Sequence, residues 1–454
     1  MPKACPEVRT MLIEFRVENY RSFAQEQTLS LVAGKDSSHP GHVLDCGKYG
    51  LLKAAAIYGA NASGKSNLIS AFLFMQAFVS KSATRMNLGD PIRGVEPFRL
   101  DNEWRAKPSS FEVRLLLDGT EYQYGFSVTV DRVHDEWLYV KRKGGRLTNR
   151  LLRQFDPETG TTSWSLQGEL KPARELTGKT RDNGLFLSRA AEMNVTFVKQ
   201  LFMWFRSGLW HFDLATPPVH LMQWTARRVC EDSSFRERVE ALVHDADLGI
   251  DGISVTREEF PIPDEARKEV REELTRIGES IRIILGGDEG IPKGLEQFKV
   301  QARHRLADSG EIVDFSLEHN ESNGTQRFFA LVGPVLDALD NGALLVVDEL
   351  ECSMHPLLTF KLIELFQSPD VNPSGAQLVF ATHDSTLMSP ALLRRDQIYL
   401  TEKNRKGATV LFSLCDIDPG KRPRKQEALE KNYLSGRYGG VPNFGPAFED
   451  LEVK

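Results

Sequence analysis

The sequence has few cysteines and no long hydrophobic run. Its 454 residues include only five cysteines, which are scattered and contain no CxxC pair. This arrangement argues against a zinc ribbon and against a disulfide-stapled fold, and it is typical of a protein from a reducing cytosol. No apolar stretch approaches the about 18 residues that a membrane-spanning helix needs, and the N-terminus lacks the apolar core of a signal peptide. We therefore expect a cytoplasmic protein that does not enter a membrane.

The sequence also lacks an excess of positive charge. Its formal net charge is -6, so a globally basic nucleic-acid-binding protein is excluded, whereas a local basic patch is not. Hydrophobic residues make up 41% and charged residues 26%, which is ordinary for a globular chain and argues against disorder, collagen or a coiled-coil rod. The length exceeds that of a typical single domain, so we expect one large head with an insertion, or two domains.

Two basic clusters could provide such a local patch. The first covers residues 141–146 together with Arg150 and Arg153, and the second covers residues 421–425. Either cluster could contact the phosphates of DNA or RNA, but a solvated turn is the commoner explanation of such a run. Neither cluster is interleaved with aromatic residues, so neither has the pattern expected for stacking on single-stranded bases.

Hydrophobic periodicity predicts an α/β head interrupted by an insertion. An apolar run at residues 51–58 leads into a glycine-containing loop and then into a helical pattern at 67–78, so the order is strand, loop, helix. Residues 171–245 lose the strand-like alternation and are predicted to be largely helical. Further strands are predicted at 11–19, 28–32, 111–117, 121–130 and 136–141.

The second half of the chain returns to an α/β pattern after one more helix. That helix, at 264–285, carries an apolar stripe of only about three heptads, so a long coiled coil is not expected. Helices follow at 324–339 and 357–366, strands at 343–347 and 377–381, and a hairpin at 397–401 and 408–414. The predicted organisation is a lead at 1–10, a first lobe of the head at 11–90, a β-rich and helical insertion at 91–304, and a second lobe at 305–454.

Residues 59–66 match the phosphate-binding pattern GxxxxGK[ST] without departure. They are Gly59, Ala60, Asn61, Ala62, Ser63, Gly64, Lys65 and Ser66, and Asn67 continues the helix that they open. The amides of such a loop point inward at phosphate oxygens, and the helix N-terminus adds a favourable dipole. Lys65 would reach the β- and γ-phosphates, and the Ser66 hydroxyl would bind Mg²⁺. A chance match in a turn is the alternative, but the flanking strand and amphipathic helix favour a nucleotide site that extends to Asn67.

An acidic pair ends the strand predicted at 343–347. A buried parallel strand presents its last residues at the carboxyl edge of the sheet, beside the phosphate loop. Asp348 would hold Mg²⁺ directly or through water, and Glu349 would act as the general base on the attacking water. The alternative is a strand that ends in a solvated acidic turn.

Two further patterns suit contact with a phosphate. Ser322, Asn323 and Gly324 open a helix, where free amides and the helix dipole favour an anion. Alternatively, Ser322 or Asn323 caps that helix, and the two roles are compatible. His383 ends the next predicted strand and can donate to a γ-phosphate as a neutral imidazole, although a lone histidine is more often structural.

In this order the motifs resemble the ABC-type ATPase heads of the SMC, RecF and OLD group. The similar segments are residues 59–66 to Walker A, 322–326 to the ABC signature, 348–349 to Walker B, His383 to the switch histidine, 15–23 to the N-[FY]-R-S-F opening, and 351–356 to the D-loop. The resemblance does not place a Q-loop, since Gln76 falls on the helix after Walker A and Gln123 falls in a strand of the insertion.

The resemblance implies an α/β P-loop NTPase head of the ABC type with a mixed sheet, and ATP and Mg²⁺ as cofactors. It implies catalytic roles for Lys65, Glu349 and His383, and it adds Arg21 to the nucleotide-binding residues. Such heads dimerise head to tail around two ATP molecules, and the signature of one copy closes the site of the other. Nucleotide binding then drives assembly and hydrolysis releases it.

A closer resemblance is to stand-alone bacterial ATPases of the AbiLi and RloA type, which are associated with abortive infection and phage defence. It is carried by residues 97–100, 392–403 and 433–442. It implies an ATPase whose nucleotide-driven self-association, as a homodimer or higher oligomer, regulates a separate effector. That effector would be a nuclease or toxin, with a TOPRIM-type nuclease as one form. The alternative is a RecF-like ATPase that engages DNA in repair or DNA maintenance.

Two other classes of protein are disfavoured. An integral TOPRIM nuclease would use an Asp-x-Asp pair such as Asp416 and Asp418, but only a short tail follows that pair. A transporter ATPase would carry a membrane-coupling helical domain, whereas this sequence has an extended N-terminal opening and a β-rich insertion.

Overall fold

The computed structural model describes residues 10–213, 219–246, 249–261, 294–417, 423 and 427–442. Four predictions lie outside these ranges: the lead apart from Thr10, the helix at 264–285, the second basic cluster apart from Pro423, and Asp418.

The described elements alternate between strands and helices in the head and are mainly strands, then helices, in the inserted region. The strands are β1 (Thr10–Glu18), β2 (Gln27–Ser30), β3 (Val43–Asp45), β4 (Gly50–Leu52), β5 (Ala54–Gly59), β6 (Ser109–Leu117), β7 (Thr120–Val128), β8 (Val133–Lys141), β9 (Thr148–Asp156), β10 (Thr161–Leu166), β11 (Leu209–Asp213), β12 (Gly252–Pro261), β13 (Gly294–Arg305), β14 (Ile312–Ser316), β15 (Leu344–Asp348), β16 (Gln377–Ala381), β17 (Ile398–Lys403) and β18 (Thr409–Ser413). The α-helices are α1 (Lys65–Lys81), α2 (Asn102–Arg105), α3 (Phe186–Glu192), α4 (Thr196–Met203), α5 (Val219–Glu231), α6 (Ser233–Asp245), α7 (Leu317–Asn320), α8 (Asn323–Asn341), α9 (Pro356–Gln367) and α10 (Leu429–Leu434).

One large sheet is antiparallel, with the strand order β10-β9-β8-β7-β6-β1-β2. The strands predicted at 111–117, 121–130 and 136–141 are confirmed as β6, β7 and β8. The sequence pattern did not predict β9 and β10, because most of their side chains are exposed or half-buried and their apolar residues do not alternate regularly. β1 pairs with both β2 and β6, so the first strand of the chain lies in the same sheet as the inserted strands.

The second large sheet carries the predicted nucleotide motifs and has the order β11-β15-β16-β5-β17-β18. Its first five strands are parallel, and β18 is antiparallel to β17. Because parallel strands end at the same edge, the segments that follow β5, β15 and β16 meet there. These segments contain the phosphate loop, the acidic pair and His383 respectively.

Two local predictions are wrong in detail. The apolar run at 51–58 forms two strands, because Lys53 separates β4, which pairs with β3, from β5. Residues 171–245 contain helices as predicted, but Leu209–Asp213 forms β11 at the edge of the mixed sheet. A run of five residues is too short for periodicity to separate a strand from a helix, so only pairing with β15 reveals it.

The mixed sheet is covered on both faces by hydrophobic cores. Side chains alternate along β5, so that Ile57 belongs to one core and Tyr58 to the other. The first core contains α1 and the inner face of the antiparallel sheet, where the rings of Phe15 and Phe72 stack with centroids 3.7 Å apart. The second core contains α5, α8 and α9. The carboxyl edge of the sheet therefore rests on rigidly packed elements.

Long helices are absent from the described part of the chain. Its longest helix is α8, with 19 residues, which agrees with the expectation that no long coiled coil is present there. Within the same residues no helix has the combination of length and apolar character that crossing a bilayer requires.

Candidate nucleotide-binding site

The predicted phosphate loop connects β5 to α1 at the carboxyl edge of the mixed sheet. Gly59 and Gly64 have φ angles of +153° and +120°, and a Cβ atom on either one would lie 2.3 Å from a threonine hydroxyl, that of Thr401 or Thr409. Glycine is therefore required at both positions by space and by conformation. Asn61, Ala62 and Ser66 are exposed, so the loop is accessible to a ligand.

The N-terminus of α1 is available to an anion. Gly64 occupies the cap position and no side chain caps the helix, so the first-turn amides have no side-chain competitor. Lys65 is buried at this end, and its ammonium group donates to the carbonyl oxygens of Gly59 at 2.8 Å and Ala60 at 3.3 Å. A bound phosphate would offer the same ammonium group a charged acceptor in place of two neutral ones.

Three carboxylates act electrostatically on Lys65. Burial lowers the pKa of the Lys65 amine from 10.5 to about 8. Negative charges oppose that shift, and in decreasing order of effect they belong to Asp348, Glu351 and Glu349. The structure thus brings the predicted acidic pair to the predicted phosphate loop. Glu351 is a third acid that the motif-based assignment of catalytic residues did not include.

The hairpin of β17 and β18 supports the phosphate loop from the side. The Thr401 hydroxyl lies 2.6 Å from the Ser63 hydroxyl and donates to the Tyr58 carbonyl at 3.2 Å. The Thr409 hydroxyl lies 2.7 Å from the Ser63 carbonyl, to which it donates. No local pattern marks these two threonines, because they lie 338 and 346 positions from Ser63 in the chain.

The N-terminal opening contacts the first two turns of α1. The Asn67 amide donates to the Ser22 hydroxyl at 2.8 Å, and the Arg21 guanidinium donates to the Ser70 hydroxyl at 2.8 Å. The backbone N–H of Arg21 donates to the carbonyl of Glu96 at 2.6 Å. Arg21 and Asn67 therefore lie beside the phosphate loop, and their contact with a nucleotide stays a prediction.

The acidic pair lies where β15 passes into a strained turn. β15 ends at Asp348, and Glu349 has a φ angle of 54°, which is rare for a glutamate. Such outliers concentrate at functional sites, where the surrounding structure enforces them. The strand beside β15 is β11, in which Asp213 is the parallel partner of Asp348. The continuation of β11, at 214–218, is outside the described residues.

The two glutamines considered for a Q-loop have structural partners. Gln76 is buried and donates to the carbonyls of Phe205 at 3.1 Å and Leu209 at 2.5 Å, so it joins α1 to the start of β11. Gln123 donates to the Glu112 carboxylate at 2.9 Å within the antiparallel sheet. Neither side chain is directed at the phosphate loop by these contacts.

Glu351 joins the segment after β15 to the segment after β16. Its Oε1 atom accepts a hydrogen bond from the backbone N–H of His383 at 2.6 Å. Its Oε2 atom is buried and has no hydrogen-bond partner among the described residues. His383 itself is exposed at the same edge of the sheet. A carboxylate two positions after Glu349 is the sequence signal that could have identified Glu351 as a site residue.

The predicted signature segment packs closely on the predicted D-loop of the same chain. Ser322 is the N-cap of α8, as predicted, and its hydroxyl accepts from the backbone N–H of Thr325 at 3.1 Å. Asn323 begins the helix, and a Cβ atom on Gly324 would lie 2.7 Å from the carbonyl oxygen of Ser353. The close approach requires glycine at position 324. Contact of these residues with a nucleotide in a second copy stays a prediction.

The first basic cluster is largely engaged in internal contacts. Arg142 and Arg150 both pair with Glu169, at 2.5 and 2.8 Å. Arg153 is buried and donates to three backbone carbonyls between residues 181 and 184. These three arginines therefore have internal partners that explain their presence without a nucleic acid.

The segment at 392–403, part of the closer resemblance, braces the opposite edge of the sheet. Arg394 is buried and donates twice to the Asp396 carboxylate, at 2.9 and 2.6 Å. Arg395 donates to Asp36 at 2.7 Å and thereby holds the loop that follows β2. These contacts lie at the amino end of β17, away from the phosphate loop.

Comparisons with known proteins give a family and similarities to solved structures. Residues 54–389 match the family described as "AAA domain, putative AbiEii toxin, Type IV TA system". A comparison with the curated proteins finds no match. Two solved structures of the recombination mediator protein RecF in the RecFOR pathway, described as RecF-ATPrS and RecF-ATP, are each 15% identical to the chain. The match to the first covers 90% of this chain and 100% of the RecF chain, with a TM-score of 0.35. The match to the second covers 85% of this chain and 94% of the RecF chain, with a TM-score of 0.34.

The geometry of the site fits a nucleoside triphosphate with Mg²⁺. An uncapped helix terminus and a buried ammonium group suit the phosphates, and the Ser66 hydroxyl and Asp348 carboxylate are oxygen ligands of the kind Mg²⁺ prefers. The predicted α/β fold class with a mixed sheet and without a long coiled coil in the described residues is confirmed, and the family match supports a P-loop ATPase domain. The assignment to the ABC type stays a prediction. Since the family match extends over well more than half of the sequence, the chain belongs to this AAA-domain family.

Proposed function

We propose that the protein binds ATP with Mg²⁺ at residues 59–67 and hydrolyses it to ADP and phosphate. The observation that carries the proposal is the environment of Lys65. Its buried amine lies at an uncapped helix terminus, it donates to two neutral carbonyls, and three carboxylates act on it. A triphosphate with Mg²⁺ complements both the cation and the acids.

The chain's own groups divide the chemistry among them. Lys65 and the amides of the loop neutralise the charge that develops on the β- and γ-phosphates. Ser66 and Asp348 would hold Mg²⁺, which when bound supplies positive charge to the phosphate oxygens. Glu349 accepts the proton of the attacking water, and His383 donates to the γ-phosphate as a neutral imidazole.

We also infer that the catalytic unit is a head-to-tail dimer or a larger oligomer. In that arrangement Ser322, Asn323 and Gly324 of one copy present the N-terminus of α8 to the γ-phosphate held by another. The support is that Gly324 packs on the D-loop residue Ser353, so signature and D-loop form one continuous surface. The γ-phosphate would then favour assembly, and its loss would favour release.

The biological role that we propose is regulation of a separate effector, a nuclease or toxin, in cytoplasmic antiviral defence of the abortive-infection kind. Its support is the family description, which names a putative AbiEii toxin of a type IV TA system. Engagement of DNA is the competing role. The internal contacts of Arg142, Arg150 and Arg153 leave fewer groups of the first basic cluster available to nucleic-acid phosphates.

The experiment combines hydrolysis with particle size. Phosphate release and light scattering are measured for the wild type and Glu349→Gln, with and without ATP-Mg²⁺ and with added DNA. A glutamine cannot accept the proton, so we expect hydrolysis to fall by about 10²–10⁴-fold while the assembled state accumulates. Glu364→Gln, an exposed change on α9, is the matched control.

Each outcome has a distinct meaning. Assembly of Glu349→Gln with ATP alone supports the proposed regulator of an effector. Assembly that requires DNA contradicts it and favours the DNA-engaging role. Binding of ATP with neither assembly nor phosphate release by the wild type contradicts the proposed ATPase cycle.

A further inference from the structure

The segment 427–442, here named the C-terminal bracket, packs beneath the nucleotide edge of the mixed sheet. It consists of α10 and a turn in which Gly436, Gly439 and Gly440 all have positive φ angles. Its residues Leu429, Tyr433 and Tyr438 are buried in the same core as the inner face of α9. Its residues 433–442 carry part of the closer resemblance, but the sequence motifs predict no site residue within the bracket.

One arm of the bracket reaches the start of the phosphate loop. The ring of Tyr433 packs edge-on against that of Tyr58, with centroids 5.9 Å apart, and its hydroxyl donates to the carbonyl of Gly440 at 3.2 Å. Burial raises the pKa of Tyr433, and a hydrogen bond from the backbone of Gly59 opposes that rise. The Tyr433 side chain therefore lies against Tyr58, the residue before the first glycine of the loop, and its hydroxyl is held by the glycine turn of the bracket.

A second arm reaches the segment that carries His383. Ser385 lies two residues after His383, and its hydroxyl donates to the Glu430 carboxylate at 3.0 Å. The same segment is held from its other side by Glu351, which accepts from the His383 backbone. Glu430 therefore holds the segment after His383 at Ser385.

The bracket is also anchored to β17, through the glycine turn that holds the Tyr433 hydroxyl. The backbone N–H of Gly440 donates to the Glu402 carboxylate at 3.3 Å, and a Cβ atom on Gly439 would lie 2.7 Å from that carboxylate. Glu402 directly follows Thr401, which holds Ser63 of the phosphate loop. The two arms therefore extend from a fixed base.

We propose that Tyr433 and Glu430 are positioning residues of the nucleotide site, Tyr433 for the phosphate loop and Glu430 for the segment that carries His383. The inference rests on the proposed ATPase function and deepens it. Since the arms touch different parts of the site, each has its own kinetic consequence. Loss of the Tyr433 hydroxyl weakens ATP binding, whereas loss of the Glu430 acceptor slows the chemical step and leaves binding intact.

The test measures the ATP dissociation constant and kcat for full-length Tyr433→Phe, Glu430→Ala and Glu430→Gln. Tyr433→Phe and Glu430→Ala each remove one hydrogen bond. We therefore expect Tyr433→Phe to raise the dissociation constant by about 3–10-fold with little change in kcat. For Glu430→Ala we expect kcat to fall by a similar factor of about 3–10 at an unchanged dissociation constant. Glutamine keeps an acceptor oxygen, so Glu430→Gln restores kcat. Lys431→Ala, exposed on the same helix, is the matched control.

A second readout keeps this inference separate from the proposed hydrolysis. Amide hydrogen exchange is followed in residues 59–66 and 383–387, where Tyr433→Phe should accelerate only the first segment and Glu430→Ala only the second. The inference is overturned if both variants match Lys431→Ala, or if both change binding and kcat together. If the wild type binds ATP but releases no phosphate, the proposed hydrolysis fails, and the dissociation constants and exchange rates still decide the role of the bracket.

Discussion

Glu351 Oε1 lies 2.6 Å from the backbone nitrogen of His383. This hydrogen bond connects the segment that follows β15 with the segment that follows β16, so one carboxylate joins the segments that carry the proposed base Glu349 and the proposed phosphate contact His383. The same carboxylate acts on Lys65 more strongly than Glu349 does. Glu351 is therefore placed to keep three parts of the site in register.

Replacing Glu351 with alanine tests this placement. The change leaves the His383 N–H without its charged acceptor, and we expect kcat for phosphate release to fall by about tenfold or more. ATP binding should change far less, because the phosphate loop keeps its own contacts. Steady-state phosphate release and a direct binding titration check the two expectations, with Glu364→Ala as the control. Equal losses in binding and turnover would contradict the assigned role.

The pKa of Lys65 predicts how ATP binding depends on pH. Burial lowers this pKa to about 8 in the nucleotide-free protein, and a bound triphosphate raises it again. Below the lowered pKa the amine is already charged, so its protonation no longer changes the affinity there. Above it, binding requires uptake of a proton, and affinity should fall by roughly tenfold for each further pH unit.

Calorimetry in buffers of different ionisation enthalpy measures that proton uptake directly. At a pH slightly above the lowered pKa we expect a buffer-dependent binding enthalpy for the wild type. Lys65→Arg carries a guanidinium that stays protonated throughout this range, so its binding enthalpy should not depend on the buffer. A wild type without buffer dependence would show that Lys65 does not titrate on binding.

The local patterns of the sequence predicted the centre of the site. The loop at 59–66 lies within one strand–loop–helix unit, and Asp348 ends a continuous apolar strand, so short-range rules are sufficient for both. The parallel order of the strands then brings these segments to one edge without further information.

The remaining contacts of the site depend on pairs that are remote in the chain. Thr401 supports Ser63 from 338 positions away, and Glu351 finds His383 only because β15 and β16 are neighbours. β11 is a five-residue run whose strand character comes from pairing with β15. Hydrophobic periodicity describes neighbouring residues and cannot predict contacts between distant segments. The support of Ser63 by Thr401 and the pairing of β11 with β15 are therefore visible only in the structure.

Gly324→Ala tests the contact between the signature and the D-loop. A methyl group at this position would lie 2.7 Å from the Ser353 carbonyl, so the start of α8 and the D-loop must move apart. We expect ATP-dependent assembly of Glu349→Gln to be lost when Gly324→Ala is added, while ATP binding by the monomer is retained. Light scattering measures assembly. Gly178→Ala, where a Cβ atom meets nothing within 4 Å, is the control, and unchanged assembly in the Gly324 variant would refute the expectation.

Arg153→Met tests the structural role of the buried arginine in the insertion. Burial raises the pKa of Glu136, and the Arg153 guanidinium, 3.9 Å away, opposes that rise. Removing the guanidinium leaves the buried Glu136 carboxylate without its counter-charge and three carbonyls without their donor, so we expect the free energy of unfolding to fall by about 3–5 kcal/mol. Urea denaturation measures it. The exposed Arg142→Met should cost no more than about 1 kcal/mol, and equal losses in the two variants would contradict the assignment.

The position of β5 between β16 and β17 has a consequence for synthesis on the ribosome. The strand that leads into the phosphate loop is made early, but its lateral neighbours come from the last third of the chain, as the 338-position separation of Ser63 and Thr401 shows. At 5–20 residues per second, translation of that interval takes about 20 to 70 s. During this time an apolar strand and an uncapped helix terminus have no permanent partners. The sheet that positions the phosphate loop can therefore form only after β16 and β17 have been synthesised.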